Sequence, residues 1–143
     1  HCPDIRRVDE SRASSRVSGS SLSHDACIGS RGERQACRWL RRRGWSIRGR
    51  NQMIGHDEID IIAETPDGRT MACIEVKSTR RRDEDLFRRI DGHKRRCLRR
   101  SARGVARHHP DHFIRVDLMT VQFRRCLRSR VRHWPAIIEA GNR

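Results

Sequence analysis

Glu58-Ile59-Asp60-Ile61-Ile62-Ala63-Glu64 runs into Thr65-Pro66-Asp67-Gly68, and the chain returns through Thr70 to Ile74-Glu75-Val76-Lys77. Pro presets the first corner of a turn and Gly accepts positive φ, so Thr65–Gly68 predicts a tight reversal. The apolar, β-branched runs on either side predict two strands of an antiparallel hairpin. Alternation along the second strand puts Met71, Cys73, Glu75 and Lys77 on one side and Ala72, Ile74 and Val76 on the other. A turn centred on Pro66 and Asp67 brings Asp60 level with Ile74 and Glu75. A slip of one residue, or a bulge at Gly68, would shift that register.

Two acids and a lysine converging inside apolar strands need a purpose, because charge is costly there without a partner. Phosphodiester hydrolysis needs an activated water, neutralised phosphate charge and support for the leaving oxygen. Mg²⁺, or Mn²⁺, supplies much of this and is held by one or two carboxylates plus waters and phosphate oxygens. Asp60 and Glu75 suit that demand, and the backbone carbonyl of Val76 is a third candidate ligand. Lys77 would orient or deprotonate the water, or stabilise developing negative charge. The bland alternative is a same-face salt bridge worth under about 1 kcal/mol.

Before the hairpin, Gly29 to Gly44 reads as a helix stopped by its glycine, with Ala36, Cys37 and Leu40 on one face. Glu33 falls on that face too, placed to reach the metal through water or to position Lys77. Trp45 to Met53 reads as a first strand. After the hairpin, Asp83 to His108 is helical in pattern, with Gly92 as a candidate interruption. Leu86, Ile90, Lys94, Cys97, Leu98, Ala102 and Val105 make its inner stripe. Lys94 there either approaches the acids or buries its stem and keeps its ammonium in water. Phe113 to Phe123 reads as a fourth strand, followed by a basic linker and a short apolar piece from Trp134 to Ile138. Helix, three strands, helix and further strands predict an α/β fold, a mixed central sheet flanked by helices.

Residues 1–27, rich in Ser and Arg, read as a disordered basic tail, and 28–143 as one domain. The 143 residues suffice for one modest core. Hydrophobic residues make up 34%, and even with ten glycines the share is a little below the ordinary range. The formal net charge of +15 attracts polyanions, nucleic acid first and an anionic membrane surface second. Arg80, Arg81, Arg82 and the outer helical arginines Arg96, Arg99, Arg100 and Arg103 are the expected phosphate contacts, against a solvated basic face as the plainer reading. With three Phe and no Tyr, base-stacking surfaces look scarce, which favours recognition by backbone and shape. No apolar run is long enough to span a membrane. The six scattered cysteines form no Cys-x-x-Cys pair, which points to reduced thiols and a cytoplasmic setting. His108 to His112 lacks a second ligand cluster and reads as a polar loop rather than a zinc site. The chain opens on His1, which leaves truncation, processing and a mis-assigned start open.

Asp60, fourteen residues and then Glu75-Val76-Lys77 resembles the PD-(D/E)xK nuclease core, the restriction-endonuclease-like fold. More closely, the chain resembles the small bacterial YraN-type family of endonuclease-like proteins. The matching pieces are Gly32-Glu33 with Ala36 and Leu40, Gly44-Trp45, Arg50-Asn51, Glu58 to Ala63, Ile74 to Arg80, then Lys94, Leu98, Ala102 and Arg115-Val116-Asp117. The resemblance covers about residues 29 to 123 and implies a nuclease-type site at Glu33, Asp60, Glu75 and Lys77. Asp57 departs from the family's usual Gly, the loop Ser78 to Arg89 is unusually arginine-rich, and the Ser-rich leader is extra. The expected activity is metal-dependent cleavage of nucleic acid, DNA foremost. The alternatives are a binding module of the same fold without independent activity, or a structural protein whose charge is incidental. Cutting of both strands would favour a symmetric dimer, and a protein partner is the other route to activity.

Overall fold

The computed structural model describes residues 22–81, 85–125 and 128–138. Five strands form one open sheet in the order β1-β2-β3-β4-β5. They are β1 (Ser46–Ile54), β2 (Asp57–Glu64), β3 (Thr70–Thr79), β4 (Phe113–Phe123) and β5 (Ser129–Ile138). Neighbours run antiparallel except β3 and β4, which are parallel. A parallel pair needs a crossover, and it is made by a short 3₁₀ turn at Leu86–Arg89 and helix α2 (Gly92–His108). Helix α1 (Leu22–Arg42) precedes the sheet. The result is the expected α/β architecture, consistent with a restriction-endonuclease-like fold.

The helices cover opposite faces. Ala36, Cys37 and Leu40 of α1 pack on Ile61, Ala72, Ile74, Met119 and Val121. Leu98, Ala102 and Val105 of α2 pack on Ile59, Met71, Cys73, Val116 and Leu118. Each fully buried Leu or Ile contributes about 1.5–3 kcal/mol. The middle strands are therefore apolar for long continuous runs, as strands covered on both faces must be.

Local chemistry sets the boundaries. The N–H groups of Gly44 and Trp45 reach back to the carbonyls of Arg41 and Leu40, and Gly44 has φ +83°, so a Schellman motif ends α1. Gly68 donates to the Thr65 carbonyl with φ +70°, closing the β2–β3 turn where the sequence places it. Asp91 caps α2 by accepting the Lys94 N–H at 2.8 Å.

Three boundaries differ from the sequence reading. Helix α1 begins at Leu22, ahead of Gly29, while residues 1–21 of the expected tail lie outside the described residues. The long helical pattern after the hairpin is divided, because Ile90 leaves helical geometry and Asp91 starts a new helix at Gly92. The expected linker before Trp134 is strand from Ser129 onward. Its arginines face solvent, so the strand carries charge without losing its alternation.

Candidate active site

The ladder between β2 and β3 runs from Glu64↔Met71 to Ile61↔Ile74 and then gives out. There the Asp60 carboxylate replaces a strand, accepting the Val76 N–H at 2.8 Å through Oδ2. Val76 thus meets Asp60 through its amide, and its carbonyl is the group the sequence reading nominated.

Glu75 sits next to this point and is only 3% exposed. Its side chain lies on the α2 face, as alternation requires. Lys77, two residues along the same strand, places Nζ 2.8 Å from Oε1, and Lys94 of α2 places Nζ 3.1 Å from Oε2. Oε2 is buried, and its close neighbour is the Lys94 ammonium. Lys94 therefore approaches the acids, the first of its two readings. Burial works against its ammonium, but the Glu75 carboxylate outweighs this and holds its pKa above the ordinary lysine value.

Asp60 is unusual electrostatically. Burial foremost, then the charges of Glu75 and Glu33, push its carboxyl up to about 7; the Val76 amide and Lys94 pull the other way. Glu33 comes from α1 and has Arg50 4.0 Å away. The preceding residue, Gly32, lets α1 approach β3 closely, since a Cβ there would collide with the Ser78 side chain. The structure thus brings Glu33, Asp60, Glu75 and Lys77 into one electrostatic neighbourhood and adds Lys94.

Among the described residues, no three His, Cys, Asp or Glu side chains are grouped so as to hold a metal ion by themselves. Mg²⁺ needs no such group, since it takes one or two carboxylates and otherwise waters and phosphate oxygens. Asp60, pushed up by burial and by the negative charge of Glu75 and Glu33, and Glu75 beside it are hard-oxygen groups whose mutual repulsion a cation would relieve, and they fit such an ion.

The predicted phosphate contacts divide. Arg80 and Arg81, at the end of β3, and Arg96, Arg99 and Arg103, on α2, are exposed. Arg100 is held by Asp57, with bonds of 2.7 and 2.8 Å to its two oxygens. Asp57, the departure noted above, thus takes one basic side chain out of the outer stripe. Arg82 lies outside the described residues.

A second buried charge cluster had no place in the sequence reading. Asp117 is fully buried and accepts both arms of Arg115 at 2.8 and 2.9 Å, His133 Nε2–H at 2.8 Å and the Ala136 N–H at 2.9 Å. Burial would raise its pKa, but these donors outweigh it and hold it low. Trp39 and Trp45 set ring edges against His133. The cluster ties down the β5 bulge, where Ala136 adopts φ +54°. Its partners are Arg115 of the same strand and His133 and Ala136 of β5, whose register the bulge shifts, so only the charged pair in Arg115-Val116-Asp117 hints at it in sequence.

The profile of the uncharacterised protein family UPF0102 matches residues 32–121, a span holding all four predicted site residues. A UPF0102 protein of Sphingopyxis alaskensis is 39% identical over 108 residues, covering 74% of this chain and 90% of that one. Another from Rhizorhabdus wittichii is 35% identical over 101 residues, covering 66% and 79%. One from Thermotoga petrophila is 41% identical over 71 residues, covering 50% and 63%. With the family profile spanning most of the domain and a relative aligned over most of the chain, the protein belongs to the uncharacterised protein family UPF0102, the YraN family.

Proposed function

We propose that the protein is a metal-dependent phosphodiesterase that cleaves nucleic acid, DNA foremost, in cytoplasmic repair, recombination or processing. The observation that carries this reading is the convergence of Glu75, Asp60, Lys77 and Lys94 within a chain of net charge +15. Asp60 and Glu75, with the Val76 carbonyl, would hold Mg²⁺ or Mn²⁺. When bound, such an ion neutralises phosphate charge and makes a water more acidic. Lys77, 22% exposed, bridges the buried acid and solvent. From there it would orient the attacking water or meet the negative charge developing on the phosphate oxygens. Lys94 balances Glu75 from the other side, and Glu33 positions groups around Asp60.

The test is incubation of the protein with linear, nicked, branched and single-stranded DNA and with RNA, in Mg²⁺, Mn²⁺ or chelator. Asp60→Ala and Lys77→Ala should each lose cleavage by at least about 100-fold while keeping a folded spectrum. Undiminished cleavage in either variant removes that residue from the mechanism.

A second reading has its own support. Two lysines balance Glu75 internally, so the site is electrically settled without a metal. A binding module that needs a partner for activity fits this, and it would show salt-sensitive binding without metal-dependent turnover.

A further inference from the structure

The proposed phosphodiesterase site does not end at Lys77. Across the sheet, Lys77 is level with Thr120 of β4, and Thr120 with Arg132 of β5. One step along, Thr79, Gln122 and Arg130 form a second row. Residues level with one another share a face, so both rows lie on the side that carries Glu75. Strands are about 4.8 Å apart, which puts the Arg132 backbone about 10 Å from that of Lys77.

A recess of about 310 Å³ opens over these rows. Its floor is deep, since Thr79 and Thr120 are 6% and 9% exposed. Its mouth carries the exposed guanidinium side chains of Arg130 and Arg132. Its end wall is aromatic: Phe87 and Trp134 meet edge to face with centroids 4.8 Å apart. Trp134 is fixed by donating Nε1–H to Thr120 Oγ1 at 3.3 Å. Asp85 also lines the recess, but it caps the 3₁₀ turn by accepting the Phe87 N–H and pairs with Arg88.

The polar floor is braced internally, with Thr79 Oγ1 accepting the Arg81 N–H at 3.1 Å and Gln122 Nε2 donating to the Arg81 carbonyl at 2.9 Å. The cationic mouth and aromatic wall match two parts of a nucleotide, phosphate and base. The volume lies at the low end of the roughly 300–1,000 Å³ of small-molecule sites, which suits a single base rather than a base pair. A base reaches such a recess only when it is outside a duplex stack. We infer that this recess receives one unpaired nucleotide adjoining the scissile phosphate, with its phosphate at Arg130 and Arg132 and its base against Trp134 and Phe87. The substrate class is therefore nucleic acid with a single-stranded tail, gap or flipped nucleotide beside the cut. The inference rests on the phosphodiesterase reading for the position of the cut, but not for the binding itself.

The test is fluorescence anisotropy in chelator, comparing a DNA hairpin bearing a short single-stranded tail with the same hairpin blunt. Wild type should prefer the tailed hairpin by about tenfold or more, the scale of one base stack. Arg130→Gln/Arg132→Gln and Trp134→Leu should each bring tailed affinity down to the blunt value. The double arginine variant should also lower the log–log salt slope for tailed DNA by about 1.4, for two lost single-strand phosphate contacts. Thermal melting checks that the variants fold, and exposed Arg132→Gln alone replaces any variant that does not. Equal wild-type affinity for both hairpins, or a preference that survives the substitutions, overturns the inference. Cleavage is read separately. A protein that cuts but shows no tail preference keeps its catalytic reading and loses this one, and the converse result does the opposite.

Discussion

A carboxylate 3% exposed in the middle of a sheet is tolerable only in company, and Glu75 has two ammonium groups for it. Asp60 is less well served, and its pKa near 7 has a consequence for stability. Unfolded, it ionises near 3.9. Between about pH 4 and 7 the folded state therefore binds a proton that the unfolded state has released, so stability falls as pH rises through that window. The full effect is up to about 4 kcal/mol. Wild type should lose more thermal stability than Asp60→Asn between pH 5 and 8, and millimolar Mg²⁺ at pH 8 should restore part of it in wild type alone. Parallel melting curves for the two proteins would count against the buried acid. Arg115→Ala should cost about 3–5 kcal/mol in urea unfolding, because it strips the main cation from fully buried Asp117. The acidic pair is legible in sequence because a tight turn and two-residue alternation are local signals. Lys94 is half legible, since helical spacing gives its face and not its neighbour. Asp117 with His133 is not, because that pairing depends on which strands become adjacent.

Elements show the same division. The turn at Thr65–Gly68 and the end of α1 at Gly44 follow from residue chemistry alone. The start of α2 depends on Asp91, one capping residue within a continuous helical pattern. Strand β5 hides behind arginine, although Arg130, Arg132 and Trp134 alternate strictly with Val131 and His133, a two-residue period that charge disguises. Helix α1 offers a test in which two forces oppose each other. Gly to Ala in a helix interior ordinarily stabilises by up to about 1 kcal/mol. At Gly32 the added methyl would meet the Ser78 side chain, so Gly32→Ala should instead destabilise by about 1–3 kcal/mol. It should also weaken cleavage, because Glu33 travels with the helix. A stabilised, fully active variant would show that α1 has room to move.

At the scale of the molecule, one sheet serves two ends. Its α1 face carries core together with the buried Asp117 cluster, while its α2 face holds core at one end and the Glu75 charges at the other. No helix of the described residues is long and apolar enough to cross a membrane. The parallel pairing of β3 with β4 divides the molecule in time as well as in space. Asp60 and Glu75 are joined across a short turn, whereas Thr70 must find Phe113 after the whole crossover has been traversed. Closing a short loop costs less entropy, so the antiparallel pairs β1–β2, β2–β3 and β4–β5 are the local units, and the β3–β4 pairing that joins them is the costly late step. Gly68→Ala, strained at φ +70°, should therefore slow refolding in stopped-flow measurements, while Trp134→Leu should mainly hasten unfolding. On that order of events the acids meet early, and the wall that would grip a substrate beside them joins them only when β3 finds β4.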